Sequence, residues 1–466
     1  MTAPQIDNRF DLSSAALLPK VQRRRHARCE RLQRIASSGT VSAAVMVLAA
    51  VVAVIVANTP AYFPVHAFLT APVTVSFGGL SVSVTPELVI NDFLMALFFL
   101  LVGIELKYEM TVGELTRPRQ AMLPMLAAVG GVVVPAAIYA VLNHGGASGG
   151  WAIPMATDIA FALGVLSLLG DRVPAGVRVF FTTLAIADDL ISIAAIALFY
   201  GHAPSLPWLS AAVVTVMALV GLNRAQHYRL APYMMLGALL WFFVFMSGIH
   251  ATIAGVVLAF CIPARSGLEL DALEAWLHRK LPAVMGRYDQ EAHILGQHDF
   301  TRAATEVERV VHRVTPPLQR LEHKIATFVN FVVLPLFAFA NAQVRLVGVD
   351  LGSLVADPVT LGTYLGMLLG KPIGIVGVTY LLVRAGVSEL PRNVGWRHMV
   401  GVGVLGGIGF TMSILIAGLA FPEAPAEVLA AKTAILAGSV SAAVLGMAYM
   451  ALVCRAGGPR RGSPAP

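Results

Sequence analysis

The stretch VFFTTLAIADDLISIAAIALFY, residues 179–200, carries no charge except at Asp188 and Asp189. At ~1.5 Å rise per residue it is long enough to cross a ~30 Å hydrocarbon layer, with the two aspartates ~15 Å from either end, near the midplane. A centrally placed Asp costs ~2.5–3.5 kcal/mol on insertion scales, so the pair needs protonation, a cation or a water-filled cavity to offset it. An acidic pair at that depth therefore points to a proton or cation pathway. The blander alternative is a pair that only locks helices together, a job one buried carboxylate would do at lower cost.

The rest of the chain has the same character. Of 466 residues, 57% are hydrophobic and 13% charged, where a soluble domain carries roughly a quarter. Apolar runs of about twenty residues recur at about 41–58, 88–106, 121–142, 152–169, 179–200, 207–222, 231–246, 248–262, 326–343, 358–383, 399–420 and 430–453. They predict an all-α polytopic membrane protein with about twelve transmembrane helices. Those at 152–169, 248–262 and 399–420 are short or interrupted.

The net charge of +7 does not mark a nucleic-acid binder, because its distribution is topological. Arg23, Arg24, Arg25, Arg28, Arg31 and Arg34 precede the first span, and Arg455, Arg460 and Arg461 follow the last. Between them Lys107, Arg117 and Arg119, then Arg172 and Arg178, Arg224 and Arg229, the segment 264–325, and Arg384, Arg392 and Arg397 occupy every second loop. The alternate loops hold almost no Lys or Arg, Arg345 being the exception. By the positive-inside rule both termini are cytoplasmic and the number of spans is even. The organisation read from this is a basic cytoplasmic tail at 1–37, a transmembrane domain at 38–455 and a cytoplasmic C-terminal tail at 456–466. The polar 1–37 stretch has no apolar core and is not a signal peptide. Cys29, Cys261 and Cys454 are too scattered for a disulfide framework or a metal site.

Two features lie outside the apolar runs. In the external loop at 60–87, VTVSFGGLSVSV (73–84) alternates with period two on both sides of Gly78 and Gly79, which predicts a small β-hairpin. A lone hairpin is marginal in water, so a partner such as a second subunit is expected. In the cytoplasmic loop at 264–325, LELDALEAWLHRKL (268–281) and FTRAATEVERVVHRV (300–314) predict two amphipathic helices.

Within the spans the charged residues are few: Asp92, Glu105, Asp158, the aspartate pair and Lys371, with Lys432 near enough to an end to snorkel. Asp158 follows Thr157 in WAIPMATDIAFALG (151–164), where Pro154 and Gly164 weaken helical continuity, and GGIGFTMS (406–413) is equally prone to unwind. Interrupted spans in separate halves of a chain, here the fourth and eleventh, are the sequence sign of inverted repeats with two broken, crossing helices and a site at the midplane. Half-helix N-termini there carry partial positive charge and C-termini partial negative charge. Asp158 suits the former and Lys371 the latter, and a direct pairing of Lys371 with one of the aspartates is an open alternative.

Together these segments resemble the NhaA-type sodium/proton antiporter family, itself a standing example of inverted-repeat transporters. The matching strings, in the family's order, are INDFLMALFFLLVGIELK (90–107), WAIPMATDIAFALG (151–164), LAIADDL (184–190), SGIHATIAG (247–255), LPLFAFANA (334–342), GKPIG (370–374) and GGIGFTMSI (406–414). The resemblance implies a secondary antiporter of a bacterial inner membrane that exports Na+, and Li+ with it, against entering H+, with no cofactor beyond those transported ions. It implies that Asp188 and Asp189 form the cation and proton site, with Thr157, Asp158 and Lys371 supporting it. Glu105, Glu109, His250, Glu322 and His323 fall where the family places residues tied to pH response, and the 73–84 hairpin where it forms a homodimer. Tyr108 stands where the family commonly has an arginine, Ala326 where it has a histidine and Gln343 where it has a glycine, so the resemblance does not extend to the pH set-point.

The residues also bear on mechanism. Sodium and lithium are hard cations suited to carboxylate oxygens, and a close carboxylate pair titrates as a unit. Adjacent helix positions point ~100° apart, so Asp189 is read as the obligatory ligand and Asp188 as the partner that meets Lys371. Two rivals belong to other classes. An intramembrane aspartyl protease draws its aspartates from different helices, in Tyr-Asp and Gly-x-Gly-Asp contexts that frame none of Asp158, Asp188 and Asp189. A sodium-coupled symporter of an organic anion would share the broken helices.

Overall fold

The structure, a computed structural model, describes residues 39–456 other than 78–79, 114–115, 117, 202–203, 266–267 and 392. The tail at 1–37, the C-terminal tail beyond Ala456 and the Gly78-Gly79 turn lie outside the described residues. Among the described residues, ten helices are long and apolar enough to cross a membrane: Gly39–Ala57, Pro86–Thr111, Ala121–Leu142, Ser148–Leu168, Ala175–Phe199, Leu206–Arg224, Leu230–Ser247, Pro317–Asn341, Pro358–Arg384 and Pro425–Arg455. The pair Trp396–Leu405 and Phe410–Ala420, bent by 47° at its break, makes eleven if taken as one span. The run at 248–262 accounts for the difference from twelve. Gly248 takes a left-handed conformation at φ 85°, and only Ile253–Cys261 is helical, nine residues, which at ~1.5 Å per residue covers less than half of a bilayer.

Burial sorts these helices into centre and periphery. The most apolar window of Ala175–Phe199, the helix bearing Asp188 and Asp189, is 72% buried, against 17% for Leu206–Arg224. Leu206–Arg224, Leu230–Ser247 and Ile253–Cys261 share one apolar cluster, through Leu219, Tyr233, Leu240 and Leu258, with Leu100 and Ile104 of the second span. A second cluster surrounds the first half of the aspartate helix with Leu123, Ile375, Met399 and Met450. The third runs through Met46, Phe99, Ile153, Phe337 and Ile416, so the central helix lies between packed layers.

Local chemistry explains where the helices depart from α geometry. Widened π turns at Val329–Val333 and Gly366–Gly370 each stop just short of a proline, Pro335 and Pro372. A proline has no N–H to donate and its ring crowds the carbonyl four residues back, and a wider turn relieves that crowding. The second of these turns ends at Lys371 and so sets the direction in which its side chain leaves the helix. Gly374, one turn on, allows a close helix approach: a Cβ there would lie 2.1 Å from the Gly130 carbonyl oxygen.

Outside the spans, Val73–Phe77 pairs antiparallel with Leu80–Val84 in the register Val73↔Val84 to Phe77↔Leu80. Arg345 stacks its guanidinium over Tyr62 and Phe63, with the cation 5.2 and 5.0 Å from the ring centroids. In the 264–325 segment, helices Leu270–Met285 and His298–Val311 are joined by Lys280 Nζ donating to Glu306 Oε2 at 2.7 Å. Lys280 holds the Glu306 carboxyl below the ordinary glutamate value. That contribution is present above the unfolded value and lost as pH falls through the lower folded one, and its exposure makes it small.

Candidate ion site

Where the broken spans meet, each supplies what the other lacks. Ser148–Met155 ends as a 3-10 helix, the chain runs extended through Ala156, Thr157 and Asp158, and a new helix starts at Ile159. In the other span Trp396–Leu405 stops at Gly406 and Phe410–Ala420 starts after Gly409. The two breaks pass in contact: a Cβ on Gly409 would lie 2.5 Å from the Ala156 carbonyl oxygen, closer than any other residue could tolerate. Asp158 N donates to the Ile408 carbonyl at 2.6 Å, and Ser413 Oγ to the Ile153 carbonyl at 2.7 Å.

The Asp158 carboxylate serves both new helix starts. Its Oδ1 accepts from Phe161 N at 3.0 Å, and its Oδ2 from Thr411 N at 3.1 Å and Thr411 Oγ1 at 2.8 Å. One negative charge thus sits at two positive half-helix ends in a buried setting. Asp158→Ala removes both caps, each worth ~1–2 kcal/mol. We expect it to lower the unfolding midpoint in detergent, followed by tryptophan fluorescence, with Asp158→Asn recovering part of the loss; an unchanged midpoint would show that the caps carry no stability. Charge and helix-breaking residues do not mark Thr411 in the sequence, although a threonine just after a glycine-rich break is a legible cap partner.

Lys371, with 0% exposure, donates from Nζ to Asp188 Oδ2 at 2.7 Å and to Thr157 Oγ1 at 3.0 Å. Thr157 Oγ1 in turn donates to the Gly406 carbonyl at 2.9 Å, at the C-terminal end of Trp396–Leu405. The lysine therefore meets a carboxylate directly and a half-helix C-terminus through one hydroxyl. Its charge and that of Asp188 are matched.

Asp189 is placed differently. It lines a cavity of about 310 Å³ together with Thr157, Asp158 and Thr411, and neither Asp188 nor Lys371 lines it. Asp189 is 3% exposed and its Oδ1 has no hydrogen-bond partner, as is also true of Asp188 Oδ1 and Ser192 Oγ. A buried carboxylate oxygen left unmatched costs ~1–3 kcal/mol or more, which a bound cation or proton would remove. From Asp189 the cavity extends to Glu105, Tyr108, Glu109 and Glu322, where Tyr108 is 51% exposed. Glu109 and Glu322 are each close enough to Glu105 to act on it electrostatically.

The other two residues that the resemblance placed in a pH response lie apart from this mouth. His250 Nε2 is 2.7 Å from the carbonyl of Tyr200, at the far end of the aspartate helix, and His323 is exposed and outside the cavity lining. No cluster of three or more His, Cys, Asp or Glu with metal-holding geometry occurs among the described residues, and the Cys261 and Cys454 thiols are free.

A family model described as "Na+/H+ antiporter 1" matches residues 33–450. The chain belongs to that family. It is a transporter of the antiporter class and not an enzyme. Among its relatives, a Na(+)/H(+) antiporter NhaA of Oleidesulfovibrio alaskensis is 43% identical over 91% of this chain and 94% of its own. One of Mesorhizobium japonicum is 45% identical over 89% and 92%, and the NhaA 2 of Pseudomonas syringae pv. syringae 46% over 87% and 91%. A solved sodium proton antiporter of Methanocaldococcus jannaschii overlaps the chain more loosely, at TM-score 0.45 and 14% identity over 87% of this chain and 90% of that one. All the strings that suggested the antiporter resemblance fall inside the matched region, and so does the cavity from Asp189 to Glu322.

Proposed function

We propose that this antiporter exports sodium, and lithium with it, from the cytoplasm of a bacterial cell in exchange for protons entering across the inner membrane. The observation that carries the reading is the split of the acidic pair: Asp188 is matched by Lys371, while Asp189 keeps an unpartnered oxygen in a cavity leading to Glu105, Glu109 and Glu322. Proton and cation then compete for Asp189. An alkali cation would take Asp189 oxygens and water, with Thr157 and Asp158 beside it. Asp158, Thr157 and Lys371 hold the broken helices so that the site can face either side as the two repeats rock. Neither the doubly loaded nor the empty charged site crosses readily, so the two cargoes alternate, and downhill proton entry expels sodium.

The membrane arrangement is part of the same reading. Counting the bent pair as one crossing, and the non-helical 248–252 together with the short helix Ile253–Cys261 as another, gives twelve, with both termini cytoplasmic and the cavity mouth on the cytoplasmic side near Lys107. Glu105, Glu109 and Glu322 share that mouth and are the stronger pH-response residues; His250 and His323 would act from a distance. The strand pair at 73–84 would join two copies as a homodimer. The carboxylates lining the cavity disfavour an organic anion as cargo. Purified protein in sodium-loaded proteoliposomes, with radiolabelled sodium and an internal pH dye, tests the exchange: sodium movement coupled to opposite proton movement is expected, and sodium flux without pH change would overturn it.

A further inference from the structure

The ion cavity follows the aspartate helix through Thr182, Ile186 and Asp189 and no further. For the same carboxylates to open to the other side, a path has to continue along this helix toward Tyr200. Between Asp189 and Tyr200 the helix reads LISIAAIALF (190–199), in which Ser192 is the one polar side chain. It lies ~4.5 Å beyond Asp189 along the axis, and at ~100° per residue it points ~40° from Asp188 and ~60° from Asp189, between the two carboxylates. The end past it is packed shut: Trp151 stacks on Tyr200 with ring centroids 6.4 Å apart, and the Tyr200 hydroxyl donates to the Gly149 carbonyl at 2.6 Å.

The Ser192 hydroxyl is also unlike others inside these helices. Such a hydroxyl ordinarily donates to the carbonyl four residues back. Thr183 does so to Val179 at 3.0 Å, Thr215 to Ala211 at 2.8 Å and Thr379 to Ile375 at 2.6 Å. Ser192 is 0% exposed and its Oγ has no hydrogen-bond partner, like the Oδ1 atoms of Asp188 and Asp189 one turn back. Alanine, which follows at 194, 195 and 197, would fill the place without leaving a buried polar atom unmatched. A neutral hydroxyl oxygen beside a carboxylate suits a hard alkali cation.

We propose that Ser192 is a cation subsite on the external half of the path: once the packing at Tyr200 opens, its hydroxyl oxygen ligates the sodium or lithium ion next to Asp189 before release outside. With the cavity open, the ion meets Asp189 from the cytoplasm and Ser192 is sealed behind it. The hydroxyl therefore serves one face of the cycle and the carboxylate both. This rests on the exchange reading above, in which the cavity mouth is cytoplasmic.

Two measurements test the subsite. In the first, Ser192→Ala and Ser192→Thr are compared with the native chain in proteoliposomes of one orientation, with sodium varied at each face in turn. Ser192→Ala is expected to raise the apparent sodium KM at the external face about threefold to tenfold, the scale of one lost oxygen contact, and to leave the cytoplasmic KM within about twofold of native. Ser192→Thr, which keeps the oxygen, should stay close to native at both faces. A residue that only packs would shift both faces alike or change kcat alone. The second measurement needs no transport. Cys29→Ser, Cys261→Ser and Cys454→Ser remove the native thiols and Ser192→Cys adds one, with Thr215→Cys, buried in the peripheral helix Leu206–Arg224, as the control. Silver ion, a soft cation close to sodium in size that bonds to thiolate, is added outside in chloride-free medium, and the thiols left free are read by maleimide labelling after unfolding. Fast protection at the Ser192→Cys position, slowed by external sodium, and none at the control is expected. An external KM unchanged by Ser192→Ala, a shift equal at the two faces, or silver reaching the position no faster than the control overturns the proposal. Absence of exchange in every chain, the native one included, would count instead against the exchange reading, and silver protection would still report whether the position opens to the outside.

Discussion

Asp189→Asn is expected to reduce sodium-driven proton movement in proteoliposomes to the level of empty vesicles. The side chain keeps its shape and loses its ability to bind and release a proton, so no competition with a cation remains. The change should leave the fold intact, because Asp189 Oδ1 has no hydrogen-bond partner to lose and lies against a cavity. Removing a buried charge that nothing in the protein matches should raise the unfolding midpoint or leave it unchanged. The pairing of lost transport with retained stability is the signature of an ion ligand, and residual coupled exchange above about a tenth of native would exclude Asp189 as the obligatory site. Asp188→Asn makes the contrast, since its carboxylate is tied to Lys371; its cost should appear in stability as well as in transport.

The second large effect concerns that tie. Lys371 and Asp188 are 0% and 1% exposed and meet at 2.7 Å. A buried pair of this kind gains little over an apolar pair of the same shape, yet removing one partner strands a charge and costs ~3–5 kcal/mol. Lys371→Ala should therefore lower the detergent unfolding midpoint sharply, and it also removes the donor to Thr157 Oγ1. The double variant Lys371→Met with Asp188→Asn should recover most of the loss, because no charge is left stranded. Tryptophan fluorescence during thermal unfolding, with size-exclusion profiles to report aggregation, would read both. A single variant as stable as native, or a double variant worse than the sum of its parts, would mean that the pair does not govern the fold.

Much of this site could be read from the chain alone, residue by residue. Asp188 and Asp189 stand out because a carboxylate at mid-span is costly wherever the helix ends up. Asp158 and Thr157 stand out because Pro154 and Gly164 weaken the helix around them, and 406–413 because four of its eight residues come from GGIG. Other features were not legible for equally physical reasons. The run at 248–262 has the apolar composition of a span, but Gly248 turns the chain and leaves a nine-residue helix. His250 shares a family string with the site yet bonds to a carbonyl at the far end of the aspartate helix, since position along a string carries no information about which end of the membrane a turn will occupy.

The sequence by itself determined that this chain is a polytopic helical membrane protein with a carboxylate site in its middle. Length and apolarity decide what a bilayer accepts, and the cost of a buried charge needs no tertiary contact to be counted. It also carried the ~100° offset that sends Asp188 and Asp189 to different faces. Only the tertiary structure decided which face is which. That choice is the rotation of one helix, set by Lys371 reaching Asp188 across 183 positions of chain, while the Gly130–Gly374 approach packs the lysine's helix against Ala121–Leu142. A wide π turn before Pro372 aims its amine, and the crossing of two breaks lets Asp158 cap two helices at once. These are distances between segments remote in sequence, and they fall out of packing, which no local pattern encodes.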